Sequence, residues 1–389
     1  MLLFDEITRD DMTPCGYAQS AFEYLNVSGR PEAQRVRDAL EDWLRRYPEN
    51  ERHELCGRLR SDDIHHLAAF FELLLHELLL RLGCDVEVHP TVHAAGQEHL
   101  DFRANAPGGD SFYMEAVLVA GQSARDAAAR SRMNDFLCAL NQLRSPDFFI
   151  GIEIAGAPDK PLPASNIRAE LAEHLQGLNP DEIMLRALGE GFDALPQWSY
   201  ECHGCRITFF PIPKAPEQRG EVGDRIIALE IGEMHVVGSS EYVKEGIKRK
   251  GGRRSDFDLP YVIAVNVLGD SADRDDVMEV LFGEEQWEYR MTDSGLQGVR
   301  MTRAPSGAFR NQSGPRRTHV SAVLLTNGVT PWTFPTAGVR LYHHPRAQKR
   351  YESVLTCLPQ AVPRDNVLEF VGGQSFSEVF SMAPLWPEI

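Results

Sequence analysis

The sequence predicts an α/β protein with a mixed central sheet, an αβββαβ core extended by further strands and helices. Three observations carry that prediction. A stretch beginning at Asp62 repeats apolar residues at helical spacing; two strand-like segments, HLDFRA and SFYMEAVLV, follow it across a tight turn; and apolar strand-like runs then alternate with amphipathic helical ones.

Residues 1–60 read as a helical segment, because PEAQRVRDALEDWLRRYPENERHELCGRL holds one or two amphipathic helices. From Asp62, residues Ile64, Leu67, Ala68, Phe71, Leu74, Leu75, Leu78 and Leu82 fall on one helical face. Asp62 or Asp63 is placed to cap that helix and Gly83 to end it. CDVEVHP is a short strand. In HLDFRA, alternation sets Leu100 and Phe102 on one face and Asp101 and Arg103 on the other. NAPGGD turns the chain into SFYMEAVLV, where Tyr113, Glu115, Val117 and Val119 share a face. ARDAAARSRMNDFLCALNQL, a helix by period, and DFFIGIEIAG, an apolar strand, complete the expected core over 61–160.

Residues 161–389 are expected to pack on the core sheet or continue it. CRITFFPIP, LPYVIAVNVLG, HVSAVLLTNG and VRLYHHP supply strands; NIRAELAEHLQGL, SSEYVKEGIKRK and DDVMEVLFG supply helices. The stretches 215–224 and 303–317 read as loops.

Composition narrows the function classes. A net charge of −17 over 389 residues disfavours broad attraction to phosphate backbones, yet the basic residues are grouped, in KEGIKRKGGRR at 244–254 and RNQSGPRR at 310–317. Seven scattered cysteines do not resemble a disulfide framework, and reduced thiols are expected. The start MLLFDEITRDD lacks the pattern of a secretory signal and no apolar run is long enough to span a membrane, so a cytoplasmic location is expected. The pair Cys202 and Cys205 in CHGC has half a zinc site's spacing without a second half, and reads as structural or surface thiols. His89, His343 and His344 sit at strand ends, where exposure or a local hydrogen bond is expected. Walker, dinucleotide and G-x-S-x-G patterns are missing.

The chemistry concentrates on two acids. Glu115 interrupts an apolar strand face, and a carboxylate there requires a partner, a proton or a cation. The short turn makes an antiparallel pair, which brings Asp101 close to Glu115 on one face. Two facing carboxylates with water suit a hard ion such as magnesium or manganese. Glu72 lies about 100° around the helix from Phe71 and can point toward the pair. Glu77 ranks after it, with His65 and His76 as possible helpers.

The order of FE (Phe71, Glu72), a Gly83 stop, a strand, DF (Asp101, Phe102), a hairpin and YMEA (Tyr113 to Ala116) resembles the PD-(D/E)xK superfamily of phosphodiesterases, which includes restriction endonucleases. It is similar, more closely, to a bacterial group whose third motif reads E-A-T, and LPYVIAVN and VSAVLL add to that likeness from about Asp62 onward. The resemblance implies a restriction-endonuclease-like core, Asp101 and Glu115 as ligands of Mg or Mn, and Glu72 as an auxiliary acid. It implies a nuclease acting on nucleic acid, DNA rather than RNA, in defence or DNA processing, with a protein partner or a second copy as further partners and no membrane. It also implies a lysine two residues after Glu115, where this chain has Val117, and Leu100 replaces the proline before the first acid. Lys248, Lys250, Gln142 or Asn141 are the candidate replacements for that lysine; otherwise the metal alone acts, or the chain is an inactive binding module of the same fold. Lys248, Lys250, Arg253 and Arg254 are the expected nucleic-acid contacts.

Overall fold

The computed structural model describes residues 1–389 apart from 93–97, 121–123, 192–193, 221–224, 234–238, 253–256, 269–273, 293–294, 365–366, 384 and 389. Four helices come first. In α1 (Ala21–Val27) Ser20 and Glu23 form a reciprocal capping box. Next, α2 (Pro31–Arg46) opens on a proline, whose fixed φ suits a first helical turn. After α3 (Arg52–Leu59), Asp62 caps α4 (Asp63–Arg81) through the amides of Ile64 and His65. Gly83, at φ 81°, follows α4 in the left-handed conformation that glycine adopts most readily.

The chain continues through β1 (Asp85–Val88), β2 (Phe102–Asn105), β3 (Ser111–Val119), α5 (Ala124–Leu140), β4 (Phe148–Gly156), α6 (Ala164–Gln176) and α7 (Pro180–Glu190). Then come β5 (Trp198–Cys202), β6 (Cys205–Pro213), β7 (Ile227–Glu233), α8 (Ser239–Lys250), β8 (Tyr261–Val267) and α9 (Arg274–Phe282). The last elements are β9 (Glu285–Thr292), β10 (Gly295–Arg303), β11 (Val320–Asn327), β12 (Val339–His343), β13 (Gln360–Arg364), β14 (Val367–Val371) and α10 (Phe376–Phe380). The stretch 303–317, read as a loop, contains a short antiparallel pair at Arg310–Asn311 and Gly314–Pro315.

Two compact units result. The first comprises Met1–Met12, Ser20–Gly121 and Gly238–Ile389; the second comprises Thr13–Gln19 and Gln122–Val237. The first holds a mixed eight-stranded sheet in the order β1-β2-β3-β8-β11-β12-β13-β14. Strands β1, β2 and β3 form an antiparallel meander, while β8 runs parallel to both β3 and β11. The second unit holds a four-stranded sheet, β5-β6-β4-β7, whose core joins Phe136 and Leu140 of α5 to Ile150, Ile152, Ile207 and Phe209.

This corrects one expectation. DFFIGIEIAG was expected to close the core beside SFYMEAVLV, but as β4 it lies in the second sheet, and the neighbour of β3 is β8. The helix and strand that complete the meander are therefore α8 and β8, so the second unit is inserted between β3 and α8. Hydrophobic period alone does not separate the two candidates, since each is a helix followed by an apolar strand. Burial does: a strand between two parallel neighbours is covered on both faces, and all seven residues of β8 are buried, whereas β4 becomes exposed toward its end.

Helices cover both faces of the large sheet. On one face, Phe102, Ala104, Phe112, Met114, Val262 and Leu324 pack with Trp43, Phe70 and Phe71 of α2 and α4. On the other, Tyr113, Val117, Ile263 and Val265 pack with Val243 and Ile247 of α8 and Leu281 of α9. Leu100 belongs to this second cluster and not, as alternation suggests, with Phe102. Strand β2 begins only at Phe102, and the chain bends at Asp101, which breaks the alternation one residue earlier. Among the described residues no helix is long and apolar enough to cross a membrane.

Candidate active site

Register places the first acid. Phe102 pairs with Met114 and Arg103 with Tyr113, so one residue further back Asp101 comes opposite Glu115. The Ala116 amide donates to Asp101 Oδ2 at 2.6 Å, and the His89 amide donates to the Asp101 carbonyl at 3.0 Å. These bonds hold the bend at Asp101 between the end of β1 and the middle of β3.

Glu115 lies in β3 beside Ile263 of β8 and is 0% exposed. A buried carboxylate is tolerated when it is paired and hydrogen-bonded, and here both oxygens are engaged. The Lys250 ammonium lies 2.5 Å from Oε1, and the Tyr261 hydroxyl donates to Oε2. Lys250 is the last residue of α8, and Tyr261 the first of β8.

The packing of α8 explains why the cation arrives from there. A Cβ on Gly246 would lie 3.2 Å from Val117 Cγ1 and 3.1 Å from Val119 Cγ2, so the bare glycine lets the helix settle close on β3. Val117 is 2% exposed beneath it. The position two residues beyond Glu115 is thus a helix contact, and the positive charge descends from one turn along that helix. Of the four proposed replacements, Lys250 reaches Glu115; Gln142 accepts from Arg168, and Asn141 from the Ile226 amide, within the second unit. Lys250, also among the expected nucleic-acid contacts, has a side chain 20% exposed and paired with Glu115. Lys248 is exposed, while Arg253 and Arg254 lie outside the described residues.

Glu72 is buried on α4. Tyr47 donates its hydroxyl to Oε1 at 2.7 Å, Arg58 pairs with Oε2 at 2.7 Å, and His89 Nε2 stands 3.9 Å from Oε1. Glu51 holds the other ring nitrogen of His89 at 3.0 Å. The electrostatics tie Glu72 to the strand acids. Burial first, then the Glu72 charge, push the Asp101 carboxyl up to about 6; the Ala116 amide and Lys250 oppose the rise and Glu115 adds to it. Burial and the adjacent Glu72 likewise push the Tyr47 phenol far up, so it stays a donor.

Other expected helpers have structural roles. Glu77 is held by Arg46, with bonds of 2.9 Å, and by Arg81 at 2.7 Å. Burial lowers His76 to about 4, and its ring packs 4.7 Å from that of Tyr47. His65 bonds Asp62 at the helix start. His343 and His344 bond Gln360, 17 residues away, and the Arg316 carbonyl, 28 residues away. All seven cysteines are free; Cys202 and Cys205 face each other across the β5–β6 hairpin, and the Cys205 thiol bonds the Cys202 carbonyl at 3.3 Å.

Tyr47, Arg58 and Tyr261 are site residues that sequence reasoning missed. Tyr261 left a signal, a hydroxyl opening an otherwise apolar strand; Tyr47 and Arg58 left none, because only the fold brings α2 and α3 against α4. As for a metal, among the described residues no group of three or more His, Cys, Asp and Glu side chains is arranged to hold an ion. Asp101 and Glu115 supply hard carboxylate oxygens, the donor type magnesium or manganese takes, with both Glu115 oxygens and Asp101 Oδ2 hydrogen-bonded within the chain. Compared with family models, curated proteins and solved structures, the chain matches none of them.

Proposed function

We propose that the protein is a metal-dependent phosphodiester hydrolase acting on nucleic acid, built on a PD-(D/E)xK-type core of α4, β1, β2, β3, α8 and β8. In this reading Asp101 and Glu115 hold Mg or Mn, Lys250 does the work of the lysine that Val117 displaces, and Glu72 assists. The observation that carries the reading is the Lys250 ammonium at the Glu115 carboxylate, opposite Asp101. An acid pair joined by a lysine is what the PD-(D/E)xK resemblance implies, and here the lysine comes from a different element, α8.

A bound divalent ion supplies Lewis acidity toward the scissile phosphate and lowers the pKa of the attacking water. The remaining work falls to the chain. Lys250 is placed to stabilise negative charge building on the phosphate oxygens. Tyr261 fixes the plane of the Glu115 carboxylate. Glu72, oriented by Tyr47 and Arg58, raises the proton affinity of Asp101, and a carboxylate with raised affinity is a stronger ligand for a cation. Lys248 gives the acidic protein a contact for the phosphate backbone of DNA.

A second reading, an inactive binding module of the same fold, is favoured by the complete burial of Glu115 and the engagement of both its oxygens. Incubation with Mg or Mn and single- or double-stranded DNA and RNA separates the two. The hydrolase reading expects cleavage, preferentially of DNA, that Asp101→Asn abolishes. Polymer binding without metal-dependent cleavage belongs to the module.

A further inference from the structure

Glu115 is engaged on both oxygens before any ligand arrives, and Lys250 and Tyr261, donors among the described residues, differ in kind. Tyr261 is a neutral donor at the start of the buried strand β8, its ring 4.7 Å from that of Phe257. Lys250 is a cation on a flexible four-carbon stem at the end of α8, partly open to solvent, with its charge also acting on Asp101. We propose that Lys250 is an internal counter-ion that an entering divalent cation displaces from Glu115, while Tyr261 is the positioning residue that keeps Glu115 in place through the exchange. The inference rests on the reading of Asp101 and Glu115 as a metal site.

The physical reason is continuity of charge. A carboxylate with no exposure needs positive charge beside it at every stage, and the ammonium supplies it at Oε1. When a divalent ion takes its place, ammonium and metal become like charges at one oxygen, and the more mobile of the two leaves. The lysine stem, 20% exposed, lets the ammonium swing toward solvent. The tyrosine hydroxyl carries no charge, meets no repulsion, and stays on Oε2. Lys250 is therefore stored against the acid and released to the substrate only when the metal is present. Such competition lowers the apparent metal affinity of the resting protein by the stability of the Lys250–Glu115 pair.

Calorimetric titration of the full chain with manganese chloride tests this without reference to activity. Lys250→Met is expected to bind Mn2+ about ten-fold more tightly than wild type, because its competitor is gone. Tyr261→Phe is expected to bind about ten-fold more weakly, because Glu115 loses its anchor while Lys250 remains. Equal or weaker binding by Lys250→Met, with wild type binding normally, overturns the counter-ion and leaves the hydrolase reading standing. No Mn2+ binding by either protein overturns both. Since removal of Lys250 strains the fold, a second measurement uses wild type alone: acetylation of lysine amines followed by mass spectrometry. Manganese is expected to speed modification of Lys250 several-fold relative to Lys244 and Lys248, and an unchanged or slower rate overturns the displacement.

Discussion

Lys250 and Glu115 stand 135 residues apart in the chain and 2.5 Å apart in the fold. The pair joins the end of α8 to the middle of β3, adding to the packing of Val243 and Ile247 that ties the helix to the sheet. Cutting it from the lysine side takes an ion-pair partner from a fully buried carboxylate. Lys250→Met is expected to cost about 2–4 kcal/mol of unfolding free energy, and Lys250→Met combined with Glu115→Gln to recover most of it. Urea denaturation of the four proteins of this double-mutant cycle measures the coupling. Additive losses would show that the two side chains do not act as a pair.

Asp101 ties the stability of the fold to pH. Its carboxyl is raised from an ordinary 3.8 to about 6, so the folded protein binds this proton more tightly than the unfolded chain. The stability linked to it is fully present below 3.8 and is lost as pH rises through about 6. Asp101→Asn keeps an oxygen to accept from the Ala116 amide and removes the charge facing Glu72 and Glu115. The variant is expected to exceed wild type by roughly 1–3 kcal/mol at pH 7.5, with the gap closing near pH 4, while any metal-dependent cleavage disappears. Denaturant titrations at both pH values decide it: a variant less stable than wild type at pH 7.5 contradicts the assignment.

Gly246 controls how closely α8 approaches Val117 and Val119. A methyl group there must push the two valines by a few tenths of an ångström, against a gain of about 1 kcal/mol from alanine's helix propensity. Gly246→Ala is expected to be near neutral in stability. Gly246→Val adds volume and β-branching, and is expected to cost about 1–3 kcal/mol and to loosen the Lys250–Glu115 pair. Thermal unfolding, with lysine acetylation at Lys250 as the local probe, reads both effects. Stability unchanged in Gly246→Val would mean the close approach is not needed.

Much of the site was legible because strand arithmetic is local. The turn after Asn105 and the alternation in SFYMEAVLV were enough to bring Asp101 toward Glu115, and an acid on an apolar strand face announced that it needed a partner. Asp62 and Gly83 marked the limits of α4 for equally local reasons. What stayed hidden depended on distance along the chain. DFFIGIEIAG and LPYVIAVN are equally apolar, and only the sheet reveals which lies beside β3. Val117 reads as a missing lysine until Gly246 is seen above it. Tyr47 and Arg58 reach Glu72 only because three helices converge, a relation that no periodicity in α2 or α3 encodes.

The insertion between β3 and α8 bears on how the protein reaches its native state. Strands β3 and β8 pair Glu115 with Ile263, a contact of long sequence separation, and such contacts are slow to form because loop closure precedes any gain from pairing. The intervening segment carries its own core around Ile150 and Phe209, so it can condense first and shorten the loop that remains to be closed. Until that closure, Glu115 has neither Lys250 nor Tyr261, and the half-built sheet keeps its acid hydrated. On that order the acid becomes buried only once β8 and α8 have closed over β3.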